Sequence, residues 1–120
     1  MPIISTFGAM NEQDFEQAWK AAMARMEDRF GYPMDLQSAL FLIGVNELGQ
    51  GPRWLNKDQK IDVIHIAVCS LLEPYGYYEF VGKDKDGWPH FERTERLPKL
   101  GAGEQENLMK EAVLSYIQEW

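Results

Sequence analysis

Apolar positions along this chain recur in three-four steps, then alternate in twos, then return to three-four steps. The first stretch covers residues 11–30. Phe15, Ala18, Trp19, Ala22, Met23, Met26 and Phe30 fall on one helical face, while Glu12, Gln13, Glu16, Lys20 and Glu27 lie mostly elsewhere. Asn11 can cap this helix with Asp14 in the N3 position. Glu12 sits near the positive end of the helix dipole, and Gly31 ends the helix. A second helix is expected from the Asp35 cap to Gly49. Leu36, Ala39, Leu40, Phe41, Leu42, Ile43, Val45 and Leu48 leave it almost no polar face, the mark of a helix covered on several sides. The third runs from the Asn56 cap, with Gln59 completing a capping box, to Glu73 before Pro74. Ile61, Val63, Ile64, Ile66, Ala67, Val68, Leu71 and Leu72 make it the second central helix.

The period then changes. Residues 77–81 and 88–93 read as strands, and 82–87 as the turn between them, with Asp86-Gly87 tolerating positive φ. Pro89 makes the second strand an edge strand or delays its start. Residues 97–103, with Pro98 and two glycines, read as a loop. A last helix follows over 104–118 with Leu108, Met109, Ala112, Val113, Tyr116 and Ile117 inward. The expected fold is α+β, a mainly helical single domain over residues 1–120: three helices, a β-hairpin and a C-terminal helix. Ile3, Ile4, Ser5, Thr6 and Phe7 have strand character, so three readings stand for residues 1–8: a third strand on the hairpin, a swapped arm or a frayed end.

Composition narrows the partners. The 120 residues carry a formal net charge of -7, spread along the chain. That balance repels phosphate backbones and anionic membranes. A DNA reader would need exposed basic residues along its third helix. Here that helix is apolar or acidic, with Lys57 and Lys60 only in its first turn, so no nucleic-acid partner is expected. The longest apolar run, residues 39–45, is too short to span a bilayer, and residues 1–13 lack the basic start of a secretory signal. Cys69 is the only cysteine, which excludes an internal disulfide and fits a reducing, cytoplasmic setting.

Candidate chemistry gathers in two places. Asp58, Asp62, His65, Cys69 and Glu73 form a stripe along the third helix. His65 and Cys69, four apart, could put two soft ligands on one metal, but no third or fourth ligand is dictated, so neither a metal nor a cofactor is expected. As a nucleophile with His65 as base, Cys69 suffers from acidic neighbours and a mid-helix position. A packed thiol is the plainer reading. The second place is residues 74–92, where Tyr75, Tyr77, Tyr78, Phe80, Trp88 and Phe91 crowd around one charged turn beside His90. So many aromatics either build the core or present a contact surface. Within the segment, Tyr77, Trp88, His90 and Glu92 are the candidate binding residues, since alternation sets Trp88, His90 and Glu92 on one face. The plainer account has Trp88 covering a helix while His90 and Glu92 face water. The run Lys83-Asp84-Lys85-Asp86-Gly87 has the wrong spacing for a calcium loop and reads as a turn. Asn46 and Glu47, ahead of Gly49-Gln50-Gly51-Pro52-Arg53, could form a pocket lip in which Glu47 pairs with Arg53. A glycine helix stop with a surface loop explains the same residues.

Two functions follow. The first is an interaction or structural module, self-associating or part of a larger assembly, that uses the aromatic hairpin, the methionines of the first helix and Trp120. The second is an enzyme or small-ligand binder with a site between the third helix and the hairpin. Its acid–base candidates are His65, His90, Glu73, Glu92 and Glu47.

Overall fold

Side-chain caps set the start of the first three helices in the computed structural model, which describes residues 11–50 and 54–118. At α1 (Glu12–Phe30) the Asn11 side chain accepts the Asp14 N–H at 2.8 Å, and left-handed Gly31 donates its N–H to Glu27 at the other end. At α2 (Leu36–Leu48) Asp35 accepts the Ser38 N–H at 2.8 Å. That bond holds the Asp35 carboxyl below its ordinary range. At α3 (Lys57–Leu72) the capping box closes in both directions: Gln59 N–H to Asn56 at 2.8 Å, and Asn56 N–H to the Gln59 side chain at 3.0 Å. The last helix, α4 (Ala102–Ile117), starts earlier than the glycines suggested. The Glu104 carboxylate accepts the Gly101 N–H at 3.3 Å, and this contact carries the first turn through Gly103.

Strands β1 (Tyr78–Lys83) and β2 (Pro89–Arg93) form one antiparallel hairpin, so the expected order of elements holds. Its boundaries need correction. β1 begins at Tyr78 and continues through Gly82 and Lys83, which the sequence assigned to the turn; Trp88 lies just outside β2. A bulge between Phe80 and Gly82 explains the longer strand. It absorbs Val81 as an extra residue, and Gly82 takes φ 134°, a conformation few side chains tolerate. Asp84 then closes a tighter turn. Its N–H donates to the Trp88 carbonyl, and its carboxylate accepts the N–H groups of Asp86 (2.9 Å) and Trp88 (3.0 Å). At the open end, the Thr94 N–H donates to the Tyr77 carbonyl at 3.0 Å. These two backbone bonds fix the phase of the ladder. His90 and Glu92 turn their backbone groups toward β1, whereas Phe91 and Arg93 turn theirs away.

The main core joins all four helices. Trp19, Met23 and Met26 of α1 meet Leu40 and Ile43 of α2, Leu71 and Leu72 of α3, and Val113, Leu114 and Ile117 of α4. The methionines expected to present a contact surface are therefore core residues. A second cluster, Leu48, Leu55, Val63 and Ile66, lies where the end of α2 meets the start of α3, and Trp88 packs on it. The two central helices touch most closely at Gly44, where any Cβ would overlap the Val63 carbonyl oxygen and lie 2.7 Å from Val63 Cγ1. Ile61 departs from its expected burial and is 57% exposed. No helix among the described residues is long and apolar enough to cross a membrane. Residues 1–8, Arg53 and Trp120 lie outside the described residues.

Candidate functional site

The hairpin lies over α3 and leaves a cleft of about 420 Å³ between them. Gln59, Asp62, His65 and Ile66 form its helical wall. Asp84, Asp86, Trp88, Pro89 and His90 form the other. Both histidines of the chain thus face one cavity, although each is held by its own element. His90 Nε2 lies 2.9 Å from Asp84 Oδ2, and its side chain is 61% exposed. This bond, with the Trp88 N–H, holds the Asp84 carboxyl below its ordinary range. His65 stands edge-on to Tyr78, 6.5 Å between centroids, with Nε2 3.5 Å from Cys69 Sγ. No hydrogen bond joins the two imidazoles among the described residues.

Cys69 is fully buried, and burial pushes its thiol up to about 11. It stays protonated at neutral pH and is the packed thiol of the plainer reading, not an activated nucleophile. Among the described residues no three His, Cys, Asp or Glu side chains converge to hold a metal ion. The described lining of the cleft offers two imidazoles and the carboxylates of Asp62, Asp84 and Asp86, and Cys69 is not part of it.

Of the remaining candidates, Glu73 and Glu47 have structural partners. Glu73 Oε2 accepts the Phe80 N–H at 3.2 Å, fastening the end of α3 to the outer edge of β1. Glu47 accepts the Tyr116 hydroxyl at 2.9 Å, and that hydroxyl accepts from Asn46 at 2.6 Å, which ties α2 to α4 rather than to the cleft. Glu92 is exposed and sits directly across β1 from Glu79, a like-charge pair.

The aromatic segment is divided in two. Tyr75 and Tyr77 stack at 5.7 Å and pack with Tyr78 on the main core, so Tyr77 is an anchor more than a contact residue. Burial, and then the nearby Glu111 carboxylate, raises the Tyr75 phenol above its ordinary range. Trp88 leans on the second cluster. Phe80, 45% exposed, and Val81, 53% exposed, remain outside, and the Phe91 ring meets Phe80 edge-on at 5.6 Å. Phe80 and Phe91 face each other without exchanging backbone bonds, the pairing that brings side chains closest. Sequence reasoning missed Val81 as a surface residue and Asp84 as the organiser of the turn. An aspartate two residues ahead of Asp86-Gly87 was the available signal for the latter. Trp54, just before α3, is also 82% exposed. A wider groove of about 690 Å³, floored by Trp19, Met23, Met34 and Leu40 with Lys110 over the Trp19 ring, lies beside α1.

No protein family matches the chain, and comparison with curated proteins and with solved structures finds no match.

Proposed function

We propose that the protein is an interaction module whose contact surface is the outer part of the hairpin: Phe80, Val81 and Phe91. One observation carries this reading. Tyr75, Tyr77, Tyr78 and Trp88 are taken up by the two cores, yet Phe80 and Val81 remain half exposed beside a third apolar side chain. Exposed aromatic and aliphatic side chains that meet on a rigid element are typical of contact surfaces. The setting is a soluble, cytoplasmic one, and the partner is a protein rather than nucleic acid or membrane. A photo-crosslinking phenylalanine analogue in place of Phe80 is expected to capture a stoichiometric partner. The same analogue at Glu16, on the outer face of α1, is expected to capture none. Equal labelling from both positions would refute the reading.

The convergence of His65 and His90 on one cavity favours a second reading, a small-ligand site in the α3–hairpin cleft, with Asp62, Asp84 and Trp88 as further contacts. Its test is a small-molecule screen followed by histidine ring NMR. A bound ligand shifts both imidazoles together, and a screen in which they never move together ends the idea.

A further inference from the structure

We infer that the hairpin partner is a second copy of this chain, added edge to edge along β2. The inference rests on the hairpin reading and specifies its partner. A hairpin has two outer edges. On the β1 edge, Glu73 occupies the Phe80 N–H, and the bulge at Val81 breaks the row. On the β2 edge, the backbone groups of Phe91 and Arg93 point outward and have no partner among the described residues. An unpaired strand edge is a template for another strand.

The side chains select the register. A twofold axis through Phe91 lets each Phe91 N–H donate to the Phe91 carbonyl of the other copy. Each Arg93 N–H then reaches the opposite Pro89 carbonyl. Pro89 has no N–H, so the ladder ends there without a stranded donor. In this register the Glu92 carboxylate of one copy faces the His90 imidazole of the other. When His90 is doubly protonated, its Nε2–H donates to Asp84 and its Nδ1–H is left to donate to that carboxylate. Moving the axis to Glu92 would set carboxylate against carboxylate, and moving it to His90 would spend the pairing on Pro89, which cannot donate. The axis through Phe91 therefore combines backbone pairing with complementary side chains, as an isologous interface requires. It also sets the two Phe91 rings against each other at the seam, with each Phe80 one strand behind. One strand edge and a few apolar side chains make a small interface, so the dimer depends on concentration.

Sedimentation velocity of the purified full chain over a concentration series is expected to show a monomer–dimer equilibrium. Arg93→Pro removes an outward N–H that β1 does not use. Through the twofold it acts twice, and it weakens the dimer by about tenfold or more. Arg93→Ala, which keeps the N–H, is expected to leave association nearly unchanged. Glu92→Lys supplies a variant that cannot be mistaken for misfolding. It relieves the repulsion with Glu79, so the monomer melts at a higher temperature while the dimer weakens. A chain monomeric at every concentration, or a dimer indifferent to both Arg93→Pro and Glu92→Lys, overturns the inference. The crosslinking at position 80 keeps the two ideas apart. A different protein captured there by a monomeric chain overturns self-pairing alone. No capture and no dimer overturns the contact surface as well.

Discussion

At the scale of single residues, burial governs what the titratable groups can do. Cys69 and Tyr75 are the two groups pushed furthest toward their neutral forms, and both are pushed chiefly by loss of water. Their folded values lie above the unfolded ones, so the unfolded chain loses these protons first as the solution becomes alkaline. The stability tied to Cys69 is fully present below its ordinary value of 9.0 and is lost as pH rises through about 11. A gap of this size corresponds to about 3 kcal/mol. Urea denaturation across that window is expected to show falling stability, with a shallower fall in Cys69→Ala. Equal slopes would mean that the thiol is not a buried acid. The native thiol is also expected to resist alkylating reagents at neutral pH until the chain is unfolded. The sequence disclosed the His65–Cys69 spacing but not which of the two faces water. Helix periodicity places both residues on one stripe, whereas burial depends on how far the hairpin reaches across it.

Elements carry a different kind of information. The caps of α1, α2 and α3 were legible because they are local: one side chain meets a backbone N–H three residues on. Gly44 was silent because its role is to make room for another helix. Alanine normally favours a mid-helix position over glycine by about 1 kcal/mol. Here the sign reverses, because the added methyl would meet the Val63 backbone, and Gly44→Ala is expected to destabilise the fold by roughly 2 kcal/mol or more. A denaturation midpoint that rises in this variant would contradict the close approach of α2 and α3. The hairpin rests similarly on Asp84, which accepts two N–H groups and pairs with His90. Asp84→Ala is expected to accelerate amide exchange over residues 78–93 and to leave α2 unchanged. Because the Asp84 pKa is depressed, its contribution is present above its ordinary value of 3.8 and is lost as pH falls through the lowered value. An exchange pattern insensitive to the substitution would move the control of the turn to Gly87 and the bulge.

Across the whole molecule, order of elements was readable and their mutual placement was not. Period and punctuation give three helices, a hairpin and a helix. They do not say that α1 spends its methionines on the core, that Trp88 seals a second cluster, or that Ile61 stays outside. Those outcomes depend on contacts between residues far apart in sequence. Fully buried Ala39, Ile43, Val63 and Ala67 make α2 and α3 the expected last segments to exchange amide protons, with the hairpin opening earlier. Uniform exchange across the chain would refute that order. Sheets that grow into fibres need both margins open, so that each added strand offers a fresh margin to the next. Here the Glu73 carboxylate at the C-cap of α3 stops one margin and a bulge bends it away, so growth from the other side is expected to end after a single addition. A chain that exposes Phe80 and Val81 is thereby protected from the aggregation such side chains invite.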